Sequence, residues 1–474
     1  MQSASLSDAR ALARHRLLWR WHFYAGLFVM PLLLVLAITG TLYCFQPQIE
    51  PLLYRDRMIV DAHAEPRLSQ QVLLAKAIAA EPRDATPTTV VINNDPRRSA
   101  EFVFRLQSGS SESVYLDPYT GAVLGRLSVE DRLMKQIRNL HRGLLLGKTG
   151  EIVMELAGCW TLVMIGTGVA LWWPKAHQTG GRFVPRLSSS RGRAWWRELH
   201  AVGGAWLALG ALFFVLSGLP WSSTWGKQFK ALATSAQLGY PPGAWGSAHV
   251  HSAKPAMKMN DPAMADMKMD DLPLPQTPWA VGETSVPHSA ADTADIADIA
   301  DVTIPLDQVV ALASHAGVKD GYDIALPTTA QGVYSVSYFP ADPQAERTLH
   351  IDRYSGRILS DIGYRDYGRV AQWISYGTSL HMGRYFGVAN QILASAISLG
   401  LAAMSVSGFV MWRKRKPGRV LGAPSRPVFN PPMHAWIGGL TVLGIVFPMM
   451  GLTMLIVWIS DRVLSSSARV AGTR

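Results

Sequence analysis

Long apolar runs alternate with mixed polar stretches along this chain. Five runs, approximately Trp21–Phe45, Ile152–Trp173, Leu199–Trp221, Val388–Trp412 and Trp436–Ile459, are long enough to cross a bilayer, which takes roughly 20 helical residues. Between them the periodicity changes. Residues 68–80 predict a short amphipathic helix, and 88–93, 101–107 and 113–117 alternate as strands do, ending in a turn at Asp117–Gly121. The same plan recurs downstream: 305–316 reads as helix, 332–339 and 347–352 as strands, with a turn at Asp352–Gly356. The expected fold class is an α-helical polytopic membrane protein of about five transmembrane helices, internally duplicated, with two small α+β domains outside the membrane.

Charge orients this plan. Arg10, Arg14, Arg16 and Arg20 precede the first run, six basic residues from Lys175 to Arg197 separate the second and third, and six from Arg413 to Arg426 follow the fourth. Basic flanks stay in the cytoplasm, which places 1–20, 174–198 and 413–433 inside. Segments 46–139, 222–300, 301–379 and the tail 460–474 are then expected outside, in the periplasm of a bacterial inner membrane. The net charge of +11 is therefore a membrane signature, and nucleic acid is not an expected partner. Charged residues make up only 17% of the chain, low for a soluble domain. Cys44 and Cys159 both lie inside apolar runs, which argues against a structural disulfide or an iron–sulfur site. No CxxCH occurs, so covalent c-type haem is excluded. The first run lacks a small-x-small cleavage site and reads as a retained anchor. Neither HExxH nor a phosphate-binding loop is present, so hydrolysis has no support.

The chain duplicates itself. Leu140-His141-x-Gly143-x3-Gly147 matches Leu380-His381-x-Gly383-x3-Gly387, and in the same register Gly168 matches Gly408 and Trp172 matches Trp412. VYLDPYTGAVLG matches LHIDRYSGRILS, pairing Asp117 with Asp352 and Gly121 with Gly356. His22-x3-Gly26, His200-x3-Gly204 and His434-x3-Gly438 share one pattern at the inner ends of the odd runs, and Gly40 and Gly218 each lie 18 residues past their histidine.

Five of the 13 histidines thus fall at repeat-related places: His22, His200 and His434 at inner ends, His141 and His381 at outer ends. Imidazole is a common axial ligand of haem iron. Gly26 and Gly204 sit one turn beyond their histidines on the same face, where a missing side chain leaves room for a flat macrocycle. Pseudo-symmetry pairs His22 with His200 and His141 with His381, which predicts two haems b. His434 has no repeat partner. Arg142 and Arg384, beside the outer histidines, are candidates for haem propionates or an anionic chelate. A lone histidine at a span end is more often an interfacial anchor; the repetition is what favours ligation.

The pieces WHFYAGLFVMPLLLVLAITGTLY, LDPYTG, IDRYSG, LHRGLLLGKTGEIVMELAG, Gly168…WWPK and RELHAVGGAW together resemble the PepSY-associated transmembrane family, which includes iron-regulated inner-membrane proteins and siderophore-iron reductases. The resemblance covers most of the chain outside 225–300. It implies PepSY-like outer domains and an electron route from a cytoplasmic donor, a flavoprotein or a quinone, to a ferric chelate in the periplasm. The long insert and the fifth run depart from the pattern.

Residues 240–300 are low in complexity and are expected to be mostly disordered. They carry His249, His251, Met257, Met259, Met264, Met267 and Met269. Thioether and imidazole ligands suit copper, Cu(I) especially, so copper is a second possible cargo. Two other readings stay open: a haem-free membrane-anchored PepSY regulator, and a copper-handling membrane protein.

Overall fold

The computed structural model describes residues 2–173, 183–187, 191–239, 267–289, 303–415, 422–427 and 431–471. Two compact units emerge. The first gathers Met1–Tyr43, Arg138–Gln228 and Gln391–Arg474; the second gathers Cys44–Ile137 and Phe229–Asn390.

The helices are α1 (Gln2–Cys44), α2 (Gln46–Leu53), α3 (Arg55–Met58), α4 (Gln70–Ala80), α5 (Leu133–Gly143), α6 (Gly147–Trp172), α7 (Gly192–Gly218), α8 (Trp225–Ser235), α9 (Leu306–His315), α10 (Arg369–His381), α11 (Val388–Arg415), α12 (His434–Val446) and α13 (Pro448–Ala471). Four stretches among the described residues are long and apolar enough to cross a membrane: Ala9–Cys44, Gly147–Trp172, Gly192–Trp221 and Val388–Arg415. These are the helical parts of the first unit, with α12 and α13 beside them. A shared apolar cluster holds them together, in which Ala25, Val29 and Leu33 of α1 meet Cys159, Trp160 and Val163 of α6, Ala211 of α7 and Leu401 of α11. Glycines let α7 and α11 close up. A Cβ at Gly210 would lie 2.8 Å from the Ile397 side chain, and one at Gly400 would lie 2.9 Å from Leu207. Small residues at helix contacts are the usual device where lipid supplies no hydrophobic drive.

The expected fifth span, Trp436–Ile459, is not one continuous helix. The run breaks between α12 and α13 at Phe447, whose φ of −120° and ψ of 81° leave the helix. Pro448 is the cause: it has no N–H to donate, and it pushes the residue before it out of the helical region. With 13 residues, α12 is only about 20 Å long, short of the roughly 30 Å hydrocarbon core. The chain then folds back. Trp436 packs at Gly166 of α6, Trp225 meets Phe447 at the far end, the Trp160 indole donates to Thr453 at 3.0 Å, and Asp461 pairs with Arg20 of α1. A straight helix would separate residues 436 and 461 by about 37 Å, yet both sit near the same end of the first span. Glycines make the reversal possible, since a Cβ at Gly451 would lie 2.6 Å from the Gly444 carbonyl oxygen.

The second unit holds eight antiparallel strands, β1 (Thr86–Ile92), β2 (Ala100–Arg105), β3 (Ser111–Leu116), β4 (Val123–Ser128), β5 (Tyr322–Ala325), β6 (Tyr334–Tyr338), β7 (Arg347–Ile351) and β8 (Ile358–Gly363). Their order is β4-β3-β2-β1-β5-β6-β7-β8. The two expected α+β domains are thus halves of one sheet, joined where β1 pairs with β5 from Thr89–Ala325 to Ile92–Tyr322. Alternation sorts the faces. Val90, Phe102, Val114, Ile324, Val336 and Leu349 point to one side, where α4 and α9 cover them with Leu73, Ala77, Leu306 and Val309. Both repeated turns have one geometry. Asp117 Oδ1 accepts from the Tyr119 and Thr120 amides, and Asp352 Oδ1 accepts from those of Tyr354 and Ser355. Gly121 and Gly356 follow at φ of 73° and 72°, a conformation that only glycine adopts without strain.

The other face is polar yet buried: Thr89, Ser335, Ser337, Thr348 and His350 have almost no exposure. A strap formed by residues 267–289 contacts it. Thr89 donates to the Pro273 carbonyl at 2.6 Å and Ser337 to that of Gln276 at 3.4 Å, while Trp279, Ala280 and Val281 bury their side chains. This corrects part of the expected disordered insert, of which 267–289 are ordered.

Titratable groups on this side of the sheet are withdrawn from water. Burial, with the Glu101 carboxylate adding to it, pushes Asp323 up to about 7. Burial pushes Glu346, which accepts from the Ser375 hydroxyl, up to about 8. Burial pulls His350 down to about 4. An acid raised on folding makes the unfolded chain the first to ionise, so both carboxyls subtract stability as pH climbs from about 4 to about 7 or 8. His350 acts oppositely, and its contribution is lost as pH falls from 6.5 through about 4.

Two outcomes are expected. Reporters fused to the two chain ends, one active only in the cytoplasm and one only outside, should report the same side for both; opposite sides would refute the fold-back. Asp323→Asn should raise the melting temperature at pH 8 by about 5 °C and change it much less at pH 4.5. Thermal melts of purified protein at both pH values check this, and an equal shift at both would refute the buried acid.

Candidate functional site

The site lies in the first unit and begins with two histidines on separate spans. His22 sits on α1 and His200 on α7. Their ring centroids are 6.2 Å apart with planes inclined at 81°. Two metal–imidazole bonds of roughly 2 Å each, plus the distance from nitrogen to ring centre on both sides, amount to roughly 6.3 Å. The spacing suits one iron between two rings. Gly26 and Gly204 stand one turn further on, and a Cβ added to either meets nothing within 4 Å. Both glycines therefore border open space, as a flat macrocycle requires.

The opposite edge of each ring is held. His22 Nδ1 lies 3.1 Å from both the Met164 carbonyl oxygen and Thr167 Oγ1 of α6. His200 Nδ1 lies 2.8 Å from Ser407 Oγ of α11. His141, on α5, repeats the arrangement with Nδ1 2.9 Å from Thr39 Oγ1 of α1. In each case the residue after the hydroxyl is a glycine against the ring: ideal Cβ positions at Gly168, Gly408 and Gly40 fall 3.1, 3.5 and 3.2 Å from Cε1 of His22, His200 and His141. Sequence reasoning singled out these glycines as repeat marks and missed their partners. The missed signal is a hydroxyl–glycine dipeptide at Thr39-Gly40, Thr167-Gly168 and Ser407-Gly408, with Ser217-Gly218 as a fourth copy.

Two further polar groups inside the helices were also missed. Glu155 of α6 accepts from the Thr224 and Trp225 amides at 3.0 and 3.1 Å, capping the start of α8. Arg20, two residues before His22, is tied to Asp461, to Tyr24 at 2.8 Å and to the Pro424 carbonyl.

The other expected residues fall as follows. His381 ends α10 and is half-buried, in the second unit. His434 heads α12 and is exposed; no ring contact among the described residues joins it to His22 or His200. The Arg142 guanidinium reaches the Trp221 carbonyl at 3.4 Å. Arg384 donates to the Phe339 carbonyl and lies over the Phe339 ring, 4.7 Å from its centre. Met269 is fully buried and Met267 half-buried, both at the start of the strap. His249, His251, Met257, Met259 and Met264 lie outside the described residues. Cys44 and Cys159 are buried and form no disulfide with each other. Among the described residues, no group of three or more His, Cys, Asp or Glu side chains could hold a metal ion.

No curated protein matches the chain. The family described as the PepSY-associated TM region matches residues 19–415, which takes in α1 from residue 19 onward, the eight-stranded sheet and all three hydroxyl–imidazole contacts. The chain belongs to that family.

Proposed function

We propose that this protein is a haem b-binding electron-transfer protein of the bacterial inner membrane, reducing a ferric chelate, or copper, in the periplasm with electrons from a cytoplasmic flavoprotein or quinone. One observation carries the reading: His22 and His200 stand 6.2 Å apart beside two glycines that face open space. His22 and His200 would hold the iron, and Gly26 and Gly204 would leave room for the ring. When bound, haem b would supply one-electron chemistry. Thr167 and Ser407 hold the imidazoles from behind, and the apolar walls of α1, α6 and α7 keep water from the pair.

By the basic flanks of the spans, His22 and His200 would lie at the cytoplasmic end. His141, held by Thr39 at the other end of α1, would serve a second haem toward the periplasm. Its pairing with His381 rests on the sequence repeat alone. The acceptor class comes from family resemblance, and copper enters through the Met- and His-rich stretch.

Purified protein should show b-type bands in reduced-minus-oxidised spectra, with about two haems per chain by pyridine haemochrome. Replacing both His22 and His200 by Ala should remove one haem, and replacing both His141 and His381 should remove the other. Colourless wild-type protein would end the proposal. In a separate variant, Gly26→Leu should fill the open space and lower haem content at least tenfold while leaving the melting temperature within a few degrees; full haem occupancy would show that the macrocycle lies elsewhere.

A further inference from the structure

We infer that Thr39, Thr167 and Ser407 are positioning residues that decide which nitrogen each imidazole presents. The inference deepens the haem-binding reading and rests on it. Each hydroxyl has a single proton to give, and in all three cases that proton is committed to the hydroxyl's own helix. Thr39 Oγ1 donates to the Val35 carbonyl at 2.6 Å, Thr167 Oγ1 to that of Val163 at 2.6 Å, and Ser407 Oγ to that of Met404 at 2.9 Å. The oxygen that faces the imidazole then has only lone pairs to offer. Nδ1 of His141, His22 and His200 must donate, so it carries the ring proton. His22 shows this twice over, because its Nδ1 also lies 3.1 Å from the Met164 carbonyl, which can only accept. A neutral imidazole protonated at Nδ1 keeps its lone pair on Nε2. All three rings are thereby held in the form that ligates through Nε2.

The following glycine completes the device. Its missing side chain admits the ring edge close enough for the hydroxyl to reach Nδ1. Ser217, before Gly218, is committed in the same way, donating to the Phe213 carbonyl at 2.7 Å. Four spans therefore carry one motif, a back-bonded hydroxyl followed by glycine. Back-bonding is ordinarily a mild liability within a helix; here it directs an acceptor at a ring.

A metal-bound imidazole that donates from Nδ1 is a stronger ligand, and this favours the ferric state. Removing the acceptor should weaken ferric binding relative to ferrous binding about tenfold, a rise of about 59 mV for one electron. Two measurements test this. Solid-state NMR of haem-free wild-type protein, labelled with 15N-histidine and held in bilayers, should show His22, His141 and His200 protonated at Nδ1. Protonation at Nε2 in His200 would overturn the inference whatever the haem content. Potentiometric titration of haem-loaded protein should show the midpoint of the His22–His200 haem raised by about 59 mV in Ser407→Ala and restored in Ser407→Thr. Equal potentials in wild type and both variants would overturn it, while leaving haem binding itself in place. Wild-type protein without haem would sink the proposed function, and the NMR result would still decide the tautomer.

Discussion

An imidazole has two nitrogen edges, and in apolar surroundings neither can be left to water. A buried polar group without a partner costs about 1–3 kcal/mol, and lipid offers no partner of its own. Much of the helical architecture follows from satisfying one edge while sparing the other. The Nδ1 edges of His22, His141 and His200 go to hydroxyls on neighbouring spans. That fixes the register of α1 against α6, of α5 against α1 and of α7 against α11, and it requires a glycine directly after each hydroxyl. Under the proposed function, the spared edges are the ones that would hold the cofactor.

The sheet meets the same constraint differently. Its apolar face is closed by α4 and α9, an ordinary packing of helices on an antiparallel sheet. Its other face is lined with hydroxyls and with Asp323, and part of its hydrogen bonding is supplied by carbonyls of the strap. This explains why an otherwise low-complexity stretch contains an ordered segment. Proline-rich sequence such as LPLPQTPW, residues 272–279, suits an extended strap whose carbonyls are free to accept.

What was legible in the sequence divides along physical lines. Hydropathy suffices for four spans because length and apolarity are the whole requirement for crossing. The Asp117 and Asp352 turns can be read because an Asx turn ending in a left-handed glycine has a fixed spacing. β4 and β8 escape because edge strands lack the alternating burial that marks the interior ones. The merging of two domains into one sheet escapes because β1 and β5 pair across more than two hundred residues, and nothing in either strand names its partner. The hydroxyl–glycine dipeptides are visible once the repeat is aligned, but Thr and Ser are too common in spans for their role to be inferred without the ring beside them.

The hairpin of α12 and α13 breaks the duplication, and Arg20 supplies a reason for it. Two residues before His22 stands an arginine whose side chain is nearly buried; two residues before His200 stands Glu198. Only the first repeat therefore has a guanidinium to neutralise at this place. An uncompensated charge here would be strongly destabilising, and the flanking basic residues of α1 cannot help. Asp461 arrives from the returning arm of the hairpin, accepts from the Tyr24 hydroxyl at 2.7 Å and pairs with the guanidinium. A straight fifth span would carry residue 461 away from this end of α1. The break at Pro448 brings it back, so the departure from symmetry is tied to a nearly buried cation that the second repeat lacks.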